Sequence, residues 1–225
     1  MAIAALGFPG AAFAVERIRS PFLLEYSAPD YFVDQGEIVT FENTDPFLTH
    51  GLASDYSFGG RSAFDAPILS KGQTRLVRGA PFLSSAGSPY TFRDPAHPGM
   101  TSTLVVSTAG APLPLDAVAP VAQVKVRSRG VGGIARTGRL RLAVRVSEPA
   151  DVVAKARIGR ALLRGERTFV APSRRVMALE LVSPGRLPAR AARARVTVKL
   201  SDVAGNPGTA TVSRRLSGAA PGGKR

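Results

Sequence analysis

The segment RLRLAVRV at residues 139–146 alternates between apolar and polar side chains with a period of two. Successive side chains of an extended strand point to opposite faces, so its large aliphatic residues share one face and its arginines the other. The apolar face consists of Leu140, Leu142, Val144 and Val146. This pattern is typical of a half-buried antiparallel strand. Similar segments are QVKVRSR at 123–129, VMALELVS at 176–183 and ARVTVKLSD at 194–202.

The first half of the chain also consists of short strand-like runs separated by turn signals. These runs are EIVTFEN at 37–43, TRLVRGA at 74–80, YTF at 90–92 and STLVVST at 102–108. Glycines and Asp-Pro mark turns in this half, and Gly130–Gly133 and DVAGNPG at 202–208 mark turns in the second half. No long helix is predicted, so the sequence predicts an all-β chain made of two β-sandwiches.

Charge divides the chain into two unequal parts. Residues 15–110 hold seven Lys and Arg against ten Asp and Glu, whereas residues 111–225 hold 23 against six, for a net charge of +14 over the whole chain. The composition changes within a proline-rich stretch that predicts a semi-extended linker. We therefore predict a first domain at 15–108, a linker at 109–120, a basic second domain at 121–217 and a disordered tail at 218–225.

The opening MAIAALGFPGAAFA is apolar and uncharged, and it ends in the small-x-small form Ala12-Phe13-Ala14. Residues 1–14 therefore predict a signal peptide with a truncated start, because a basic n-region is missing. At this length the segment is too short to span a bilayer, which takes about 20 apolar residues. The expected location is secreted or at the cell surface.

The chain contains no cysteine. This composition excludes disulfides, iron–sulfur clusters, thiolate zinc sites and cysteine nucleophiles. An exported protein of this kind must be held together by core packing.

Both histidines of the chain fall near side chains that can bind metal. YTFRDPAHPGM at 90–100 places Asp94, His97 and Met100 three residues apart, and His50 lies upstream, after the predicted strand at 37–43. Imidazole binds copper or zinc through a neutral nitrogen, a carboxylate is a hard ligand and a thioether a weak soft one. These four residues are the candidate metal ligands. Asp45, also near His50, is interpreted as a turn residue that binds its own backbone.

Three stretches of the first half resemble the cupredoxin family. GEIVTFENTDPFLTH at 36–50 has the order of the strand that leads to the first histidine ligand, and FDAPILSKGQT at 64–74 is similar to the middle segment. The loop from Tyr90 to Met100 is similar to the family's ligand loop, with Asp94 at the position of its cysteine. The resemblance implies a cupredoxin-like Greek-key β-sandwich that binds one copper ion, transfers electrons and meets a redox partner protein.

Replacing the thiolate by a carboxylate makes the donor set harder, which favours copper(II) over copper(I). One interpretation is a type-2-like copper(II) site in a protein that is not an enzyme, with His50, His97 and Asp94 as ligands and Met100 weak or unbound. Zinc also fits two imidazoles, a carboxylate and a water. The other interpretation is a vestigial site in a non-catalytic module of the cell envelope, with His97 and Asp94 hydrogen-bonded to each other and Met100 in the core.

The second half resembles the immunoglobulin-like modules of exported bacterial proteins, chiefly through SDVAGNPGTATVSRRL at 201–216. Its arginines are expected on the outward faces of the strands. They form either a solvated surface or a surface that adheres to anionic cell-wall polymer or lipid head groups. Nucleic acid is not an expected partner, because Phe169 is the single aromatic residue of this half. The sequence predicts no particular oligomeric state.

Overall fold

A computed structural model describes residues 15–22, 24–182, 187–188 and 190–218 of the chain. The predicted signal peptide at 1–14 lies outside the described residues, as do residues 219–225 of the predicted tail. Strands make up most of the regular secondary structure of the described residues, which confirms the all-β prediction.

The first domain contains ten strands and two short 3-10 helices, at Ala80–Phe82 and Ser85–Gly87. The strands are β1 (Val15–Ser20), β2 (Asp30–Gln35), β3 (Ile38–Asn43), β4 (His50–Ser54), β5 (Ser57–Phe58), β6 (Arg61–Ser62), β7 (Asp65–Leu69), β8 (Thr74–Leu76), β9 (Tyr90–Arg93) and β10 (Thr101–Gly110). One sheet has the order β1-β3-β8 and a larger one the order β2-β10-β9-β4-β7, while β5 and β6 form a small hairpin. The β1–β3 and β2–β10 pairs are parallel.

The core of this domain lies between the two sheets and is rich in aromatic rings. Phe92 of β9 is fully buried, and its ring packs edge-on against Tyr26 with a centroid distance of 4.8 Å. In β10, Ser102, Leu104 and Val106 point inward while their neighbours are more exposed, as the alternation predicts. Strand β9 pairs with both β4 and β10, so the start of β4 and the loop between β9 and β10, which hold the candidate ligands, lie at the same end of the sheet.

The second domain contains seven strands and one short helix. They are β11 (Ala122–Val126), α1 (Val131–Thr137), β12 (Arg139–Val146), β13 (Ala150–Ile158), β14 (Ala161–Phe169), β15 (Ser173–Leu181), β16 (Ala192–Asp202) and β17 (Pro207–Leu216). The ladder order is β11-β12-β15-β14-β13-β16-β17. Just two residue pairs join β15 to β14, so the ladder folds there into a three-stranded layer and a four-stranded layer.

One apolar core fills the space between these two layers, with alternate residues of every strand contributing to it. Leu140, Leu142, Val144 and Val146 are all buried, as their period of two predicts. This domain is therefore a β-sandwich, and its narrower assignment as immunoglobulin-like stays a prediction.

The turn predicted at Gly130–Gly133 is wrong. Helix α1 spans Val131–Thr137 and buries Val131 and Ile134, which are three residues apart and so share one helix face. It ends at Gly138, which has φ +66° and closes the helix through its N–H to Ile134 O. The helix was missed because its apolar face consists of one pair of residues in a glycine-rich segment.

The two domains contact each other through the edge of β8. Leu76 N–H lies 3.2 Å from both carboxylate oxygens of Asp151 on β13. Thr168 of β14 donates toward Thr74 O at 2.7 Å. A small apolar cluster of Ile38, Leu76 and Val203 supports these bonds. The intervening segment at 111–121 contains no helix or strand.

Candidate metal centre

Two loops at one end of the first domain bring the candidate ligands together. His50 is the first residue of β4, and the β9–β10 loop carries Asp94 and His97. Backbone hydrogen bonds shape that loop: His97 N–H donates to Asp94 O at 3.1 Å and Met100 N–H to His97 O at 2.8 Å. The DxxHxxM spacing therefore forms consecutive tight turns that return Asp94 and His97 to one point.

Asp94 is the centre of the cluster and is completely buried. Its Oδ2 lies 2.7 Å from Nδ1 of His50 and 2.9 Å from Nδ1 of His97. Its Oδ1 accepts hydrogen bonds from the backbone N–H groups of Gly51 and Ala96, at 3.1 and 2.9 Å. The two imidazoles therefore converge on a single carboxylate oxygen.

The second ring nitrogen of His50 faces another carboxylate. Nε2 lies 3.2 Å from Oδ2 of Asp45, while Oδ1 of Asp45 accepts from the N–H groups of Phe47 and Leu48. The turn predicted for Asp45 is present, but the contact of its other oxygen with His50 was missed. The spacing of five residues was the available signal, although it does not show which way a loop carboxylate points.

The surroundings hold both carboxylates in the ionised form. Burial acts to raise the pKa of Asp94, but hydrogen bonds from His97, His50 and two backbone N–H groups outweigh it, so the pKa lies below its usual value. The N–H groups of Phe47 and Leu48, and then His50, lower the pKa of Asp45. Burial and then the charge of Asp94 raise the pKa of Tyr26, which donates to Gly51 O at 2.9 Å.

The two histidines differ in their access to solvent. The side chain of His50 is 1% exposed, whereas that of His97 is 26% exposed. Their ring centroids lie 5.0 Å apart. Met100 is buried in the apolar core, and its part as a weak ligand stays a prediction.

The donor set fits a single metal ion. The ligand atoms of His50, Asp94 and His97 all lie within 4.8 Å of one another. The 2.7 and 2.9 Å contacts between the Nδ1 atoms and Oδ2 of Asp94 are hydrogen-bond distances in the cluster as it stands. Two imidazoles and a carboxylate are donors that both copper(II) and zinc accept.

A second group of carboxylates lies between the linker and the second domain, and consists of Asp116, Glu148 and Asp202. Its buried member, Asp202, accepts hydrogen bonds from the N–H groups of Ala204 and Asn206 and from the Asn206 amide. Both carboxylate oxygens of Asp202 therefore already accept hydrogen bonds from the turn that follows it.

Comparisons with known proteins returned distant structural similarities. No protein-family model matches the chain. No curated protein matches it either. Among solved structures, a purple cupredoxin from Nitrosopumilus maritimus is 21% identical over 41% of this chain and 99% of its own, with a TM-score of 0.34.

Auracyanin from Roseiflexus castenholzii is 21% identical over 44% of this chain and 99% of its own, with a TM-score of 0.34. A Cu(I) form of a mutant amicyanin is 19% identical over 41% of this chain and 82% of its own, also with a TM-score of 0.34. Similarities this distant do not show a function, and the sandwich of the first domain rests on its own strand order.

Among the described residues, no helix is both long enough and apolar enough to cross a membrane.

Proposed function

We propose that the first domain is a cupredoxin-like module that binds one copper(II) ion through His50, Asp94 and His97, with Met100 weak or unbound. The convergence of both Nδ1 atoms on one buried carboxylate oxygen supports this proposal most directly. Two imidazoles and a carboxylate suit copper(II) better than copper(I). Zinc is the competing ion for the same donors.

Asp45 prepares His50 to act as a ligand. In the metal-bound form, a proton on Nε2 that is donated to Asp45 leaves Nδ1 available for the ion. Without metal, the 2.7 Å contact requires a proton on Nδ1, because an ionised carboxylate can accept but not donate. Metal binding therefore releases a proton from this cluster.

Bound copper would supply one-electron chemistry. Burial of His50 and Asp94 keeps water from two of the donors, and the partly exposed edge of His97 gives the shortest route to a redox partner protein. Phe47, in the segment that leads to His50, packs against Phe22, and both rings are exposed, which offers such a partner an apolar contact. The hard donor set implies a lower reduction potential and slower self-exchange than in a thiolate site.

Copper uptake by the metal-free protein tests the assignment. We expect one copper(II) ion per chain by calorimetry and a type-2-like paramagnetic resonance spectrum. His97→Ala should lower the affinity at least 10-fold, since one of three donors is lost. The control is Asp116→Asn with Glu148→Gln, which removes charge from the other carboxylate group and should bind copper as the wild type does. Equal weak uptake by wild type and His97→Ala would rule out the site.

Asp94→Cys tests the link between the carboxylate and redox behaviour. A thiolate at this position should give copper(II) an intense visible absorption and raise the reduction potential, because the donor set becomes softer. Asp94→Asn is the control and should remain pale. Absorption and voltammetry of the copper-loaded variants measure both effects, and a pale Asp94→Cys protein would contradict the proposed geometry.

A second candidate function is an envelope interaction module with a vestigial metal site. It is favoured by the hydrogen bonds that already satisfy Asp94 and both nitrogens of His50 without metal. Metal content of the protein isolated from its own host distinguishes the two, because a vestigial site should contain neither copper nor zinc in stoichiometric amount.

Export is part of the proposal in both cases and rests on residues 1–14. A mature protein that begins at Val15 by N-terminal sequencing would support it, and retention of Met1 would contradict it.

A further inference from the structure

The strand register gathers basic residues on the outer face of the four-stranded layer β14-β13-β16-β17. Lys155 lies opposite Arg164 and Thr197, and Arg157 lies opposite Arg195. On β16 and β17, Arg193 lies opposite Arg215. The basic face is defined by its exposed cations: Lys155, Arg157, Arg164, Arg193, Arg195, Lys199 and Arg215.

Like charges are placed directly across strands in this face. The pairs Lys155–Arg164, Arg157–Arg195 and Arg193–Arg215 occupy neighbouring strands at matched positions. Directly opposed side chains have Cβ atoms about 5 Å apart, so these pairs repel each other. In the described part of the chain, Arg164 is the only member of the basic face within 4.0 Å of a carboxylate, at 3.9 Å from Glu166. A bound anion would relieve the repulsion.

The acidic residues of the same surface are engaged elsewhere. Glu166 accepts hydrogen bonds from Gln73 and Arg75 of the first domain, and Asp151 accepts from Leu76. Arg157 is six residues beyond Asp151 on the same strand, which corresponds to about 20 Å. The basic face therefore stays open to solvent when the two domains are in contact.

We propose that the basic face binds an extended, non-nucleic polyanion that carries a phosphate in each repeat unit. Five of its seven cations are arginines, whose planar guanidinium matches phosphate oxygens in pairs. Cations repeat about every 7 Å along a strand and about 4.8 Å across strands, so a linear chain can meet several of them in one pass. This inference does not depend on metal binding by the first domain.

The composition of the face disfavours two other anionic partners. Its described positions include no aromatic side chain, and aromatic stacking is the main attraction for single-stranded nucleic acid. Among the described residues of the second domain, the exposed large apolar side chains are Val121, Val176 and Val182. None of them lies on this face, so the face presents no fully exposed large apolar side chain to insert into a lipid surface.

Binding of the full chain to inorganic polyphosphate tests the proposal. The affinity should fall linearly with salt on logarithmic axes. Arg157→Gln/Arg193→Gln/Arg195→Gln should weaken binding roughly 100-fold and reduce the salt slope by about 2, since each lost contact costs about a factor of five. The matched control is Arg141→Gln/Arg145→Gln/Arg174→Gln, which removes the same charge from the exposed face of the three-stranded layer.

The control variant should retain the wild-type affinity within about 3-fold, because its charges lie on the other side of the sandwich. Equal losses in both variants would show a response to net charge alone and would overturn the assignment. Duplex DNA, single-stranded DNA and vesicles of anionic phospholipid are compared at equal phosphate concentration. Tighter binding to any of them than to polyphosphate would also overturn it.

Discussion

At the scale of single residues, one carboxylate organises the candidate metal centre. Asp94 joins the two loops, because it accepts from both histidines and from the backbone of Gly51 on β4. A cysteine at this position could ligate metal but could not accept four hydrogen bonds with comparable strength. The carboxylate therefore stabilises the metal-free site in a way that a thiol would not.

Asp45→Asn isolates the contribution of the outer carboxylate. The amide oxygen can still accept from Phe47 and Leu48, so the turn should persist, but the charge beside Nε2 of His50 is lost. Losing the hydrogen-bond partner of a metal-bound histidine typically costs 10- to 100-fold in affinity. Calorimetric titration with copper(II) measures the change.

The control for this variant is Asp55→Asn, which removes a carboxylate from the same domain that is paired with Arg93 instead of a histidine. Unchanged copper affinity in Asp45→Asn would show that the contact with His50 plays no part in binding.

The residue types were predictable and their orientation was not. His50, Asp94 and His97 could be selected from the sequence, because two loops with metal-binding side chains followed strands of recognisable pattern. The contact of Asp45 with His50 depends on the direction of one side chain in a loop, and Met100 could be either a ligand or a core residue. Periodicity does not determine such rotations.

At the scale of elements, the loop between β3 and β4 depends on one buried amide. Asn43 accepts from Asp45 N–H and donates to Leu48 O and Leu69 O, so it ties this loop to β7. Asn43→Ala would leave these buried groups without partners, at about 1–3 kcal/mol for each group left unsatisfied. We expect the free energy of unfolding to fall by about 3 kcal/mol and copper affinity to fall with it.

Denaturant unfolding and copper titration of Asn43→Ala measure both effects. The comparison is Ser20→Ala, which removes the single hydrogen bond from Ser20 Oγ to Asn43 Oδ1 at 3.2 Å and should cost about 1 kcal/mol. If both variants lost the same stability, the loop would not depend on the amide.

The local sequence pattern predicted where the strands lie better than it predicted which strands pair with each other. The alternation in β12, β15 and β16 predicted their approximate positions, and in β12 it also predicted the buried face, because the other face is solvated. Helix α1 was missed, since its apolar contacts come from two residues among glycines. The contact of β8 with β13 joins residues 75 positions apart, and no local signal encodes such a pairing.

At the scale of the whole molecule, the partly buried carboxyl group of Asp151 lies in the contact between the domains. Thr168 Oγ1 lies 2.7 Å from Thr74 O and 2.7 Å from Oδ1 of Asp151. A hydroxyl has one proton to donate, so both contacts are hydrogen bonds only when Asp151 carries a proton of its own. Burial raises the pKa of Asp151 to about 6, even though the charge of Arg75 and the hydrogen bond from Leu76 N–H oppose the shift.

In the unfolded chain, the pKa of Asp151 is about 3.9. The protonated acid therefore stabilises the folded protein fully below about pH 3.9, and this stabilisation is lost as the pH rises through about 6. The Asp151 contribution to the free energy of unfolding should therefore be about 1 kcal/mol larger at pH 5 than at pH 8. Asp151→Asn mimics the protonated acid, because its amide donates toward Thr168 and accepts from Leu76, and should remove this difference. Denaturant unfolding at both pH values measures it, with the exposed Asp30→Asn as the control that keeps the wild-type pH dependence. A wild-type pH dependence in Asp151→Asn would mean that another group titrates, and that the domain contact does not sense pH through this carboxyl.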